Sequence, residues 1–279
     1  MSTWIRKHDL TLYFILAFAI SWCFMIPPAL SARGLITWDV PFSLYYLASF
    51  GPMLSALILS ALTAGGRGVR QLLSGLLKWR VGWGYFAFSV LAPFAFFFIA
   101  VLLTRIVSGT WPQISLLGEV DYLPYLGFFG ALGVWLLTYG LGEEVGWRGY
   151  ALPRLQRTRK AGTAALILGL IWACWHLPAF FFRDTYTEMG ALGFPIFVVS
   201  VVFASVLLAW LYNSTRGSLL MVVLFHALFN WLSVSEAGGP YVAILMGAAA
   251  VFWAVRVLRV YGPENLSPEP KVTVESEPM

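Results

Sequence analysis

Charge is what this sequence has least of. Lys, Arg, Asp and Glu make up 11% of its 279 residues, under half of the roughly 25% found in soluble globular domains. That leaves too little polar surface to cover a water-exposed exterior, so most of the exterior must face lipid. Cysteine is equally sparse. Cys23 and Cys174 lie within apolar runs, their spacing gives neither a disulfide framework nor a metal motif, and both are expected to be small buried hydrophobes. No cleavable signal peptide is evident, since the run from Leu10 to Leu30 is too long for an h-region and further spans follow it. The zinc-protease pattern HExxH is also missing. A net charge of +5 would allow nucleic acid as a partner. The basic residues, however, sit in short loops between apolar runs, where membrane topology explains them.

Apolar residues are what fill the chain. They make up 59% of it, with a mean hydropathy of +0.78, and their runs predict an all-α, polytopic bundle of about eight transmembrane helices. The expected spans are Leu10–Leu30, Ser43–Leu62, Gly84–Thr104, Tyr122–Leu141, Gly162–Phe182, Leu192–Tyr212, Ser218–Val234 and Tyr241–Leu258. They form one transmembrane domain, residues 1–260, with no internal repeat and no insertion large enough to fold alone. From Tyr261 to Met279 the composition turns polar and acidic, which predicts a disordered cytoplasmic tail. The thirteen Trp, many near span ends, read mostly as an interfacial belt.

The basic residues orient the bundle. Fifteen of the eighteen Lys and Arg fall on the side that eight spans give to both termini, while Arg33, Arg105 and Arg183 fall on the other. An integral, multi-pass protein with both termini in the cytoplasm is expected. The cytoplasmic cluster of Arg154, Arg157, Arg159 and Lys160 is most simply part of that topology.

A few ionisable residues stand where hydrocarbon is expected. Glu143 and Glu144 adjoin each other at the end of the fourth span, and His176 and His226 lie inside the fifth and seventh. Such residues are costly in a membrane and usually face the bundle interior, where they act. At 100° per residue, Glu144 and Arg148 lie about 40° apart and can pair. Glu143 points elsewhere and is the freer base. His226 and Asn230, four residues apart, share a face. His176 shares one with Trp172, which would wall the site against lipid, whereas Cys174 lies about 200° away from His176 on this spacing. Hydrolysis suits this set. A desolvated carboxylate takes a proton from water, an Arg-paired carboxylate fixes the local field, and an imidazole–amide pair donates to an oxyanion. Glu143, His176 and His226 also make up a legitimate three-ligand zinc set, so zinc stays open. A proton or ion relay in a transporter is a second reading, which calls for inverted repeats and broken helices in matching halves.

At these residues the chain resembles the CPBP family of intramembrane proteases, which includes the CAAX prenyl endopeptidases and bacterial proteins linked to bacteriocin processing and self-immunity. The family pattern is EExxxR, an aromatic-xxxH segment and HxxxN. Here these stand as Glu143-Glu144-Val145-Gly146-Trp147-Arg148, as Trp172-Ala173-Cys174-Trp175-His176 with Trp where Phe is often found, and as His226-Ala227-Leu228-Phe229-Asn230. The resemblance covers about residues 125–234. It implies that Glu143 activates water with support from Glu144 and Arg148, that His176 holds the water, and that His226 and Asn230 stabilise the oxyanion. The substrate so implied is a peptide or protein at the membrane. A non-catalytic membrane partner in immunity or secretion is the third reading. One geometric tension stands: His176 lies about 21 Å along a span that starts at Gly162, at 1.5 Å per residue. Glu143 therefore meets it only if the fourth helix runs deeper, or if the fifth starts below the surface or tilts.

Overall fold

A long apolar run in lipid must satisfy its backbone within itself, and a helix does so. The computed structural model describes residues 2–120, 126–239 and 241–274, and among them every regular element is helical. Six helical stretches are long and apolar enough to cross a membrane. They contain α1 (Asp9–Ala32), α2 (Gly51–Ser74, preceded by the short helix Leu44–Ala48), α3 (Trp83–Ser108), α5 (Ala161–Trp175), α6 (Gly193–Ser214) and α8 (Val242–Asn265). The outward faces are apolar: Leu91, Phe98, Ile99, Leu102 and Ile106 of α3 and Phe252 of α8 are exposed, as a lipid-facing surface requires. The chain is an integral, multi-pass membrane protein.

Two expected spans depart from a simple crossing, and they carry the polar residues. The seventh is α7 (Leu219–Ser233), fifteen residues long and so about 22 Å at 1.5 Å per residue, short of the ~30 Å hydrocarbon layer. Ser218 starts it by accepting from the Met221 amide. The fourth, α4, runs over residues 127–156. Its α-helical start (Gly127–Trp135) loosens into a π-helical stretch (Leu136–Glu143), tightens over Glu144–Gly146, loosens again over Trp147–Ala151 and ends as α-helix over Leu152–Gln156. Its expected start at Tyr122 lies outside the described residues. Its expected end at Leu141 is corrected: the helix passes through the Glu pair, which lies mid-helix and buried. Arg148, counted above as cytoplasmic, is also wholly buried, which removes one residue from the charge tally without changing its direction.

α4 packs between α2 and α7, α5 packs on α6, and α8 lies against α6 and α3. Glycine brings α4 close to its neighbours, as small residues do between membrane helices. A Cβ on Gly142 would stand 2.7 Å from the Ser49 carbonyl oxygen, and one on Gly146 would stand 2.5 Å from the carbonyl of Pro52. The Glu pair thus sits between two positions where only glycine admits the start of α2. At Gly65 the backbone of α2 bends through a left-handed φ of 59°, just past the expected span end at Leu62.

Three further expectations are corrected. Cys23 and Cys174 are exposed on the outer surface. Trp135, Trp147, Trp172, Trp175, Trp210 and Trp231 are core residues, while Trp4, Trp38, Trp79, Trp83 and Trp111 are exposed. The segment expected to be disordered from Tyr261 is, as far as Val274, folded onto the protein. Leu266 is fully buried. The Gln156 and Asn213 amides bond each other at 2.8 and 3.1 Å, and Asn213 also donates to the Asn265 carbonyl and accepts from the Val272 amide. Gln156 donates to the Val272 carbonyl at 2.6 Å. A polar segment needs no apolar core if fixed amides meet its backbone groups. Residues 275–279 lie outside the described residues.

Candidate active site

Four side chains of the EExxxR segment and its partners lie within hydrogen-bonding reach of one another. Arg148 Nη1 donates to Glu144 Oε1 at 2.7 Å, both side chains wholly buried. His226 Nδ1 of α7 reaches the same carboxylate oxygen, also at 2.7 Å, as a close polar contact rather than an aligned hydrogen bond. The Asn230 amide Nδ2 lies 3.1 Å from His226 Nε2. An amide nitrogen only donates, so His226 accepts there and carries its proton on Nδ1, facing Glu144.

Glu143, with 1% of its surface exposed, takes a different partner. Its Oε2 accepts from the indole Nε1 of Trp172 at 2.7 Å. Arg148 bonds Glu144, and among the described residues no cation is bonded to Glu143, which is held by a neutral donor. Trp172 has further contacts. The Arg148 guanidinium lies over its ring at 4.5 Å, and the His226 ring stands against it edge-on at 5.3 Å and 87°. Its carbonyl lies 2.8 Å from His176 Nδ1.

Pro178 explains where His176 sits. Pro178 has no N–H to donate to the carbonyl four residues back, and α5 ends at Trp175, where the chain turns into a 3₁₀ segment over Leu177–Phe181. His176 is therefore the cap residue, and its Nδ1 meets the carbonyl of Trp172, one of the last-turn acceptors that every helix end leaves open. This fixes Nδ1 as the donor and leaves Nε2 as the acceptor. Trp175 at 4.7 Å and Phe197 at 5.0 Å hold the ring on two sides.

The structure thus brings Glu143, Glu144, Arg148, His176, His226 and Asn230 into one connected cluster around Trp172. It resolves the depth tension on the side of α4: Glu143 lies midway along a thirty-residue helix and meets α5 at Trp172, one turn before His176. Three residues that matter here were misjudged or passed over. Trp172 was read as a wall and is a donor. Gly142 and Gly146, which bracket the Glu pair at a four-residue interval, are the small-xxx-small signal that would have shown α4 to be packed inside the bundle.

A zinc ion does not fit these side chains as they stand. Among the described residues no three His, Cys, Asp or Glu form a metal-binding group. His226 has both ring nitrogens engaged, His176 has one engaged, and Glu143 is bonded to Trp172. No step below runs through a metal.

The sequence model of the family described as type II CAAX prenyl endopeptidase Rce1-like matches residues 125–232. A CAAX prenyl protease 2 of Methanococcus maripaludis is 26% identical over 140 residues, which cover 47% of this chain and 49% of that protein. The chain thus aligns with about half the length of this relative, and the family match includes all three polar segments. Through residues 125–232, which hold EExxxR, the aromatic-xxxH segment and HxxxN, the chain is similar to the type II CAAX prenyl endopeptidase Rce1-like family.

Proposed function

We propose that this protein is an intramembrane endopeptidase that hydrolyses a peptide bond of a membrane-associated peptide or protein with water activated by Glu143. The observation that carries this reading is the contrast between the two adjacent carboxylates. Glu144 is tied to Arg148 and His226, while among the described residues Glu143 is bonded by the neutral Trp172 indole and stays available to take a proton. In this reading Glu143 removes a proton from water as the water oxygen attacks the carbonyl carbon, then returns it to the departing amine. His176 accepts a hydrogen bond from that water at Nε2. The Asn230 amide hydrogen that is not bonded to His226 donates to the oxyanion, and the Glu144–Arg148–His226 group keeps Asn230 and the local field in place. Both termini lie in the cytoplasm.

The test is cleavage of a fluorogenic peptide panel, including a prenylated peptide ending in a CAAX sequence, by the purified protein in detergent. Cleavage by the wild type that resists chelator and is lost in Glu143→Ala supports the reading. Activity lost to chelator and restored by added zinc replaces it with a metallopeptidase. Equal cleavage by wild type and Glu143→Ala removes Glu143 from the chemistry.

A further inference from the structure

Trp172 stands at a position where the family pattern asks only for an aromatic ring, and in this chain it adds something that a Phe ring lacks. Its Nε1 donates to Glu143 Oε2 at 2.7 Å in a pocket closed to solvent. A carboxylate has two oxygens and rotatable bonds, and bulk water does not reach this one to restrain it, since Glu143 is buried. Arg148 is occupied by Glu144, so the indole hydrogen is the directional restraint that the structure places on Glu143. The indole is itself held firmly. Arg148 lies over one part of its surface, His226 packs edge-on against it, and Trp172 is 4% exposed.

We propose that Trp172 is a positioning residue for Glu143, its indole N–H fixing the carboxylate so that the second oxygen is presented towards the water that His176 faces. This rests on the reading of Glu143 as the base. The same residue reaches both partners of that water: its side chain sets Glu143 and its carbonyl sets the ring of His176 through Nδ1 at 2.8 Å. One rigid residue thereby fixes the spacing between base and imidazole, and preorganisation of this kind governs rate where small displacements are costly. A Phe at this position would keep the carbonyl and an aromatic ring, and would remove the N–H together with part of the indole surface.

Trp172→Phe therefore removes the donor while keeping an aromatic ring in place. In detergent, its kcat on a cleaved peptide falls on the order of 10- to 100-fold, with KM unchanged. A ring that serves only as packing leaves kcat unchanged in this variant, and that result overturns the proposal. A second measurement does not depend on turnover. In protein labelled with 15N at the Trp indoles, the Trp172 N–H signal, assigned by its loss in Trp172→Phe, moves upfield in Glu143→Ala. If Trp172→Phe does not fold, Glu143→Ala in the wild-type background still reports, because the most downfield indole signal then moves. No movement in Glu143→Ala shows that Trp172 does not hold Glu143. Should the wild type cleave nothing while the indole signal moves, the protease reading fails and the Trp172–Glu143 restraint stands.

Discussion

His226 Nδ1 and Arg148 Nη1 meet the same oxygen of Glu144, each at 2.7 Å. A carboxylate shared by two basic groups on two helices is a joint between α4 and α7, and its members should not act independently.

Removing one member leaves a buried charge unmatched. Arg148→Ala should destabilise the protein by about 3–5 kcal/mol, read as a fall in the thermal midpoint in detergent. The double variant Arg148→Ala/Glu144→Ala should lose less than the two single losses added together. Additive losses would mean that the contact at Glu144 Oε1 does not couple the two residues.

The close approach at Gly146 can be tested with one methyl group. Gly146→Ala places a Cβ against the carbonyl of Pro52, whereas a Cβ on Gly133, in the same helix, meets nothing within 4 Å. Gly146→Ala should force α2 and α4 apart and lower the thermal midpoint sharply. Gly133→Ala should be neutral or slightly stabilising, by up to about 1 kcal/mol. Equal effects would mean that α2 and α4 are not in tight contact there.

The C-terminal segment offers a protease test. Lys271 donates to the Arg159 carbonyl from its ammonium and to Asn265 from its backbone amide. Trypsin should cut slowly after Lys271 in the wild type and faster in Asn213→Ala, which loses the clamps on Asn265 and Val272. Fast cleavage of both would mean that the segment is not held by Asn213.

The outward cysteines should react from the bilayer. Cys23 and Cys174 are exposed on apolar helices. A lipid-soluble thiol reagent should label both, a charged and impermeant one should label neither, and Cys174→Ala should leave any cleavage unchanged. Cys174 would be part of the site if that variant lost activity.

Most of the bundle was legible because hydropathy reports directly on lipid exposure. Leu10–Leu30 and Gly84–Thr104 lie within their helices and end a few residues short of them, and Leu192–Tyr212 starts one residue before its helix. The boundary at Leu141 was lost because hydropathy treats a charge as a span end, and cannot see that Glu144 and Arg148 neutralise each other within the helix. The companionship of Glu144 and Arg148 was readable from their spacing. That of Glu144 and His226 was not, because it depends on how α7 packs against α4. The donor role of Trp172 was hidden for a similar reason: a pattern that asks for an aromatic ring does not register the N–H. The tail misled through composition alone, since its polar residues are held by two amides, Gln156 and Asn213, distant in sequence.

The loosened winding of α4 bears on which changes in length the gene can tolerate. A π-helical turn closes through i→i+5 bonds rather than i→i+4, so the stretch Leu136–Glu143 holds more residues than an α-helix of the same height. Deleting a single residue there would let the stretch tighten into ordinary α geometry and leave the helix on either side close to its present orientation. Inserting one before Glu143 would swing everything on one side by about 100° relative to the other. Glu143 and Glu144 would then keep their spacing to Arg148, yet lose their alignment with the start of α4. This stretch should therefore accept a deletion far better than an insertion.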